Sequence, residues 1–486
     1  MQSALIMSFT SLNFLIFFLA VVALYYATPG RFRWLVLLLA SYYFYACYKL
    51  EYTILLIAVS AIVYCAGIWI GKERLPYRRR LYLAATISSI LILLLAFKYL
   101  NFVGSSISGI FQHFNMLYNV PEFKILIPVG ISFYTLKALS YSIDVYRGDI
   151  KPERHFGLLT LYISFFPQIL AGPIERATRL LPQFHRETHF DFQRVSDGFK
   201  LMLWGFFKKL VIADRLAVYI DQVFNHPLDY HGVALIIVAY LFAIQIYCDF
   251  SGYSDIAIGA AQVLGYDTME NFNRPYLAES LQDFWHRWHI SLSTWFRDYL
   301  YIPLGGKRVS LGHWHLNIFA VFVLSGFWHG ASRMFLIWGA LHGVLLSLSA
   351  VTAGARRKAV ALFQLERIPR FHKALRIFVT FNIVAFAWIF FRANSISDAL
   401  LMIGNMIPLD MAHFSLPKAV DLNYLVVALI ASALLFVVEL IQRQPRIDDS
   451  LRATPGWCRW SFYYVLIFAI ILFGQRDASQ FIYTRF

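Results

Sequence analysis

The chain has 486 residues, of which 59% are hydrophobic and only 15% are charged. Soluble domains carry roughly a quarter charged residues, so this composition excludes an ordinary soluble protein and predicts an integral membrane protein, with the lipid bilayer as a partner. A net charge of +15 could indicate nucleic-acid binding. However, the basic residues form short clusters between apolar runs, which is the orientation signal of a multi-pass membrane protein, so we expect no nucleic-acid partner.

Five long apolar runs open the chain and predict membrane spans near residues 10–29, 34–48, 52–71, 82–100 and 125–145. Basic clusters follow alternate runs, at Arg31 and Arg33, at 72–80 and at 147–154. If the N-terminus lies outside, all three clusters face the cytoplasm. Because neither lysine nor arginine precedes the first run, we expect a retained span and not a cleaved signal peptide.

The middle of the chain has a less regular pattern. The apolar run 158–171 is short for a crossing and contains Pro167, which fits a re-entrant segment. Residues 198–216 mix apolar and charged positions, as in a helix lying at the cytoplasmic interface. Residues 233–264 are long enough for more than one crossing, or for a helix broken around 248–252.

Ionisable residues inside apolar segments need a function or a partner, because a charge at membrane depth costs several kcal/mol. Asp249 and Asp255 are compatible with a proton relay, or with carboxylates paired with Arg or Lys across the bundle. His329 lies between the mostly apolar stretches 316–324 and 334–346. Taken alone, such a residue is more often a hydrogen-bonded structural histidine than a catalytic one.

The densest polar chemistry lies in residues 267–308. On a helix, one face would carry an apolar and aromatic stripe of Phe284, Trp288, Leu292, Trp295 and Tyr299. Another face would carry the polar residues Arg287, Ser291, Thr294 and Asp298. The pattern predicts an amphipathic helix at the cytoplasmic face, although an aromatic stripe alone more often serves packing.

Basic side chains in the same region suit an anionic ligand, with ordinary cytoplasmic positive charge as the alternative. They are Arg287, Arg297, Lys307 and Arg308, the last two after a Gly305-Gly306 turn. His286 and His289 could bind a metal, but no cysteine or carboxylate cluster accompanies them, so no metal site is predicted. The four cysteines also lack metal-type spacing, and we expect no disulfide or zinc framework.

The C-terminal part repeats the alternation of basic and apolar segments. Basic segments at 356–376 and 443–459 fit the cytoplasm. Spans near 375–391, 422–441 and 460–475 then leave the C-terminus outside. In total we expect roughly ten crossings plus re-entrant pieces. No internal repeat or soluble domain is visible, which predicts a single membrane-embedded domain over residues 1–486.

Taken together, these stretches resemble the membrane-bound O-acyltransferase (MBOAT) superfamily, in particular its branch of bacterial alginate O-acetyltransferases. The resemblance is carried by residues 128–134, 249–259, 269–306 and 325–331, and it extends from about residue 8 to 480–483. It implies an all-α multi-helix bundle with re-entrant segments and a central tunnel. The Trp-His-Gly motif of the superfamily implies a catalytic role for His329, and the Trp-His-Ile-Ser-Leu-Ser block implies a second functional histidine, His289.

The resemblance also implies an activity. It is the movement of acetyl groups from cytoplasmic acetyl-CoA across the bacterial inner membrane, for O-acetylation of an exported polysaccharide. Acetyl-CoA would be the donor substrate, with no bound cofactor, and Arg287, Arg297, Lys307 and Arg308 would hold its phosphates. His329 would take the proton of the acceptor hydroxyl. Since the chain shows no fused extracytoplasmic hydrolase-like domain, a separate periplasmic acetyltransferase is expected to complete the transfer.

Three alternatives remain open from the sequence. A related branch of the superfamily moves D-alanine from a carrier protein toward teichoic acid and shares the histidine motif. A proton-coupled transporter of polysaccharide or lipid could use His329 and Asp249 as a proton pathway, although inverted halves are not visible. A structural scaffold for polysaccharide export would not need so many polar residues at membrane depth. The polysaccharide that is modified and the oligomeric state do not follow from the sequence.

Overall fold

The computed structural model describes residues 7–113, 127–407, 422–441 and 454–475. Every regular element in these ranges is a helix, which confirms the all-α fold class. The terminal stretch 480–483 and most of the basic segment 443–459 lie outside the described residues.

Seven of the described helices are long and apolar enough to cross a membrane. They are Leu50–Lys72, Pro76–Lys98, Val233–Val263, Arg333–Val351, Pro369–Arg392, Asn423–Ile441 and Gly456–Phe473. Two shorter apolar helices, Leu12–Ala27 and Ile396–Met406, accompany them. The chain is therefore a multi-pass membrane protein, while the total of roughly ten crossings stays a prediction.

The chain clusters into two compact units. Unit 1 comprises Met1–Met202 and Ser254–Met269, and unit 2 comprises Leu203–Tyr253 and Glu270–Phe486. The helices that lie wholly in unit 1 are α1 (Leu12–Ala27), α2 (Arg33–Ala46), α3 (Leu50–Lys72), α4 (Pro76–Lys98), α5 (Leu100–His113), α6 (Ile131–Arg147), α7 (Phe156–Ser164), α8 (Phe166–Ile169) and α9 (Ala177–Phe184). The unit boundary falls within α10 (Phe192–Phe206) and α12 (Val233–Val263). The helices that lie wholly in unit 2 are α11 (Asp214–Asn225), α13 (Leu281–Arg287), α14 (Ile290–Phe296), α15 (Leu311–His329), α16 (Arg333–Val351), α17 (Ala353–Leu362), α18 (Pro369–Arg392), α19 (Ile396–Met406), α20 (Leu422–Ile441) and α21 (Gly456–Phe473).

The N-terminal helices of unit 1 follow the predicted apolar runs. Helices α1 to α4 and α6 lie over the five runs, within six residues at each end. The short helices α7 and α8 meet at Phe165, and every residue from 158 to 175 is buried. Irregular backbone at membrane depth is tolerated where protein covers it, so this segment fits the predicted re-entrant piece.

A buried polar cluster of unit 1 holds the irregular segment after α8. The Lys137 Nζ on α6 donates a 3.1 Å hydrogen bond to Gln168 Oε1 and lies 4.6 Å from the centroid of the Tyr162 ring. The Tyr162 hydroxyl in turn donates to the Glu175 carbonyl oxygen at 2.9 Å. Because buried polar groups that are paired in this way are costly to separate, the cluster fixes the path of the backbone.

Helix α12 is a single unbroken helix of 31 residues. Both expectations for this region, two crossings or a break around 248–252, are therefore wrong. Asp249 lies in the middle of the helix, and its carboxylate pairs with the Lys209 ammonium. Since the charge is compensated inside the protein, the helix can continue past the polar stretch. The ion pair also confirms the paired-carboxylate alternative for Asp249.

A π-helical segment, Phe207–Ala213, joins α10 to α11 and carries Lys209. The Lys209 Nζ lies 2.7 Å from Asp214 Oδ1 and 2.5 Å from Asp249 Oδ1. Burial opposes the charge, but the two carboxylates raise the pKa of Lys209 above its usual value. The interfacial helix predicted for 198–216 is wrong for these charges, because Lys209 and Asp214 are buried inside unit 2.

The aromatic helix predicted over residues 284–299 is interrupted. Helix α13 ends at Arg287, and α14 begins at Ile290 after His289, which has a left-handed backbone with φ of 42°. The five residues of the aromatic stripe are all buried, which confirms that the stripe is a packing face. A continuous helix is nevertheless wrong, because the left-handed residue turns the chain between two short helices.

Candidate active site

His329 is the last residue of α15, and its side chain is only 4% exposed. Its imidazole is surrounded by aromatic rings of unit 2, with centroid distances of 5.0 Å to Trp328, 5.2 Å to Trp338 and 5.5 Å to Phe391. The C-terminal end of a helix carries partial negative charge, which favours a positively charged group there. The position therefore suits an imidazole that takes up a proton during a reaction.

Two glycines bring α15 and α16 close together beside His329. A Cβ atom at Gly326 would lie 2.1 Å from the Phe335 carbonyl oxygen, and one at Gly339 would lie 2.3 Å from the Phe322 carbonyl oxygen. Only glycine permits this approach, as in other close helix pairs of membrane proteins. The turn between the helices ends at Ser332, whose side chain accepts a 3.3 Å hydrogen bond from the Met334 N–H. The end of α15 is thereby held in place.

His289 is buried in unit 2 and is held by Asn271. The His289 Nδ1 lies 3.1 Å from Asn271 Oδ1, and the Ile290 N–H donates to the Asn271 carbonyl oxygen at 2.9 Å. Asn271 Oδ1 also accepts hydrogen bonds from the Ser291 N–H at 3.2 Å and from the Ser291 hydroxyl at 2.8 Å. The left-handed backbone of His289 and these bonds fix the position of the imidazole ring.

The hydrogen bonds define the tautomer of His289. A backbone N–H can only donate, so the Asn271 atom that faces the Ser291 N–H is the amide oxygen. The His289 Nδ1 must therefore carry the proton that it shares with this oxygen, and Nε2 carries a lone pair. Burial lowers the pKa of His289 to about 3, so the ring is neutral at physiological pH. The site thus holds a neutral imidazole with a defined acceptor nitrogen.

The structure brings the two predicted histidines into one aromatic cluster. The Trp328 ring packs on both, with centroids 6.1 Å from His289 and 5.0 Å from His329. The Phe250 ring closes another side of His289, with a centroid distance of 4.5 Å. Two buried imidazoles that share an aromatic neighbour can both take part in proton transfer at one site.

The four predicted phosphate-binding residues all belong to unit 2 but differ in environment. Arg287 is half-buried, and its Nε donates to Asp283 Oδ1 at 2.8 Å. Arg297 is exposed, and its Nε donates to Asp298 Oδ1 at 2.7 Å. Lys307 and Arg308 are both exposed. They follow the predicted glycine turn, in which Gly305 and Gly306 both have positive φ. Their binding of phosphate stays a prediction.

Sequence reasoning missed two residues of the site. Asn271 lies in the dense polar block but was given no role, because its contact with His289 depends on the turn between α13 and α14. Trp338 lies in an apolar helix, and only the packing of α15 against α16 brings it to His329. Among the described residues, no group of three or more His, Cys, Asp or Glu side chains could hold a metal ion.

Comparison with known proteins identifies the class of protein to which this fold and site belong. The model of the membrane-bound O-acyltransferase (MBOAT) family matches residues 159–391, which include both histidines. The chain is 40% identical over 400 residues to a protein named "Probable alginate O-acetylase AlgI" from Pseudomonas aeruginosa, an alignment that covers 82% of this chain and 74% of the relative. The chain therefore belongs to the MBOAT family, and it is an O-acetyltransferase of the MBOAT type.

Two further relatives widen the comparison. The "Peptidoglycan O-acetyltransferase" of Helicobacter pylori is 34% identical over 432 residues, covering 82% of this chain and 79% of the relative. The "Teichoic acid D-alanyltransferase" of Bacillus subtilis is 28% identical over 289 residues, covering 56% of this chain and 71% of the relative. The similarity is thus higher and longer for the two proteins named as O-acetylating enzymes.

Proposed function

We propose that the protein takes acetyl groups from acetyl-CoA on the cytoplasmic side of the inner membrane and passes them on for O-acetylation of an exported polysaccharide. The pair of buried histidines in one aromatic cluster of unit 2 is the observation that carries this proposal. The names of the O-acetylating relatives support acetyl as the group transferred and a polysaccharide as the final acceptor. Their named acceptors are alginate and peptidoglycan, so the proposal covers exported polysaccharides as a class.

His329 is proposed as the general base. An acceptor hydroxyl oxygen attacks the thioester carbonyl carbon while its proton passes to the His329 imidazole. When the tetrahedral intermediate collapses, the carbon–sulfur bond breaks, and His329 gives this proton to the departing thiolate. The partial negative charge at the end of α15 favours the transient imidazolium. The proton of the acceptor hydroxyl thus leaves with the thiol product, and the His329 imidazole is neutral again.

His289 is proposed as the second catalytic residue. Its Nδ1–H is engaged by Asn271, so its Nε2 lone pair can accept a hydrogen bond from the acceptor hydroxyl. This bond would orient the hydroxyl toward the thioester without competing for its proton, because the imidazole resists protonation. The two histidines would then have separate tasks, orientation for His289 and proton transfer for His329.

The donor and the partner follow from the same proposal. Arg287, Arg297, Lys307 and Arg308 would hold the phosphates of acetyl-CoA at the cytoplasmic side, since guanidinium and ammonium groups are the usual phosphate ligands. The acetyl group would leave on the opposite side of the membrane, where a separate periplasmic acetyltransferase completes transfer to the sugar. Acetyl-CoA itself would not need to cross lipid.

The test is a donor assay with the purified protein in lipid nanodiscs. When the wild-type protein is present, labelled acetyl-CoA should lose its acetyl group to the acceptor hydroxyl. The His329→Ala variant should be inserted normally but inactive, because no base remains at that position. Full activity of the His329→Ala variant would contradict the mechanism, and absence of thioester turnover by the wild type would contradict the function.

Transfer of D-alanine is the second candidate, favoured by the similarity to the teichoic acid D-alanyltransferase. The same assay decides between the two donors if D-alanyl carrier protein is offered in parallel with acetyl-CoA. We expect turnover of acetyl-CoA only. Turnover of the carrier-bound D-alanine alone would replace the proposed donor while leaving the role of His329 intact.

A further inference from the structure

Four aromatic side chains beside the candidate active site form a group that we call the indole cluster: Trp285, Trp338, His342 and Trp388. Trp338 lies at its centre, with ring centroids 4.9 Å from His342, 5.6 Å from Trp388 and 5.8 Å from Trp285. The Trp338, His342 and Trp388 side chains are all buried. The cluster is therefore part of the interior of unit 2.

The indole cluster has more hydrogen-bonding groups than the protein satisfies. Within the described residues, the Nε1 atoms of Trp285, Trp338 and Trp388 and both ring nitrogens of His342 have no protein partner. A buried polar group without a partner costs about 1–3 kcal/mol, and buried indole N–H groups usually find one. Phenylalanine would fill such positions without this cost. Packing alone therefore does not explain the choice of these residues.

Trp338 connects the indole cluster to the candidate active site. Its ring meets the His329 ring edge to face, with a centroid distance of 5.2 Å and an interplanar angle of 87°. Trp285 and Trp388 instead pack on His342, at 5.0 Å and 6.5 Å. Among the four rings of the cluster in the described structure, Trp338 alone packs on His329. Of these four rings, it is therefore the one that places an unpartnered donor group beside the proposed base.

We propose that the Trp338 Nε1–H donates a hydrogen bond to the oxyanion of the tetrahedral intermediate, an inference that rests on the proposed function. When the acceptor hydroxyl oxygen bonds to the thioester carbon, the carbonyl π electrons move to the carbonyl oxygen, and the hydroxyl proton passes to His329. The Trp338 N–H stabilises the resulting negative charge. Collapse restores the C=O bond, breaks the carbon–sulfur bond and returns the proton from His329 to the thiolate.

The chemistry of an indole suits this role. Its N–H group can only donate, so it presents no lone pair to the developing negative charge. The Trp388 ring stacks on Trp338 at an interplanar angle of 14°, which holds the donor in one orientation before the reaction begins. A fixed donor in a site without bulk water stabilises an oxyanion more strongly than the same donor in water. The otherwise unfavourable burial of a free N–H then has a catalytic reason.

The experiment compares two tryptophan variants in the acetyl-CoA assay. Trp338→Phe removes the N–H but keeps an aromatic ring, and it should lower kcat about 100-fold, the usual effect of losing one oxyanion donor, with KM changed less than about twofold. Trp285→Phe makes the same chemical deletion at a ring that does not pack on His329, and its kcat should stay within about threefold of wild type. Wild-type kcat in Trp338→Phe, or equal losses in both variants, would overturn the proposal.

A second substitution separates the N–H from the shape of the ring. Replacement of Trp338 by 3-benzothienylalanine exchanges the N–H for sulfur with almost no change of shape, so it decides the question even if Trp338→Phe folds poorly. The same loss of kcat is expected, and full activity would refute the oxyanion role. The outcomes are distinguishable from failure of the proposed function, which would appear as absence of acetyl-CoA turnover by the wild-type protein.

Discussion

At the scale of single residues, the protein stabilises a neutral imidazole at His289 by backbone conformation, hydrogen bonding and burial together. Asparagine tolerates a left-handed backbone better than most residues, and its side-chain amide can donate to Asn271 as the imidazole Nδ1 does. The His289→Asn variant is therefore a close structural match that lacks a titratable group. It makes the electrostatic cost of this histidine measurable.

The pH dependence of stability should report on His289. Its pKa is about 3 in the folded protein and 6.5 as an ordinary value, so below pH 6.5 the unfolded chain binds a proton that the folded protein does not. The contribution of the neutral His289 to the free energy of unfolding is therefore fully present above pH 6.5, and it is lost progressively as the pH is lowered toward 3. Between pH 7.5 and pH 5 the wild type should lose about 2 kcal/mol more than His289→Asn in denaturant unfolding. An equal loss in both proteins would contradict the prediction.

At the scale of elements, α15 and α16 position His329 by packing closely at Gly326 and Gly339, where there is no room for a side chain. In Gly326→Ala the new Cβ would overlap the Phe335 carbonyl oxygen, so the helices must separate. We expect a loss of about 1–3 kcal/mol of stability and a loss of transferase activity as His329 moves. Gly354→Ala is the control, because nothing lies within 4 Å of that position on α17. A Gly326→Ala variant with wild-type melting temperature and activity would be inconsistent with this packing.

The buried ion pairs of Lys209 give a second prediction at this scale. Lys209→Met leaves the carboxylates of Asp214 and Asp249 buried without their ammonium partner, which should cost about 3–5 kcal/mol. The triple variant that adds Asp214→Asn and Asp249→Asn removes the uncompensated charges and should recover most of this loss. Chemical unfolding in detergent measures both. A stable Lys209→Met single variant would show that the ion pairs are not needed.

These elements also show which features follow from the sequence. Hydropathy and basic clusters predict the N-terminal helices, because both are local properties of the chain. They do not predict that α12 continues past Asp249, because the partner Lys209 is 40 positions away in the sequence and reaches it through a π-helical segment. The left-handed His289 likewise has no local signal, since its conformation depends on the bonds to Asn271.

At the scale of the whole molecule, the alternation of basic and apolar segments predicts which surface receives the donor. The two histidines that the structure brings together, His289 and His329, are predicted from the sequence, because the resemblance to the family is concentrated in the motifs that contain them. The positions of Trp338 and Asn271 beside the histidines required the fold, because Trp338 belongs to α16 and Asn271 lies in the irregular segment before α13. The position of the histidines does not determine on which side of the membrane acetyl-CoA binds, so the predicted cytoplasmic side is tested separately.

Sidedness can be tested with membrane vesicles of opposite orientation. Acetyl-CoA is multiply charged and does not cross lipid, so inside-out vesicles should consume it and sealed right-side-out vesicles should not. The double variant Lys307→Gln/Arg308→Gln should raise KM for acetyl-CoA about tenfold without changing kcat, since each lost charge-assisted bond weakens phosphate binding in the ground state and the transition state alike. The difference should shrink at high salt, because both side chains are exposed.

The matched control for these two residues is Lys358→Gln, which removes an equally exposed positive charge from α17. If the effect on KM comes from general attraction of a polyanion to a basic protein, the control should show part of it. If Lys307 and Arg308 contact the phosphates, KM of the control should stay at the wild-type value. Consumption of acetyl-CoA by sealed right-side-out vesicles would reverse the predicted orientation, and an unchanged KM in the double variant would move the donor site elsewhere.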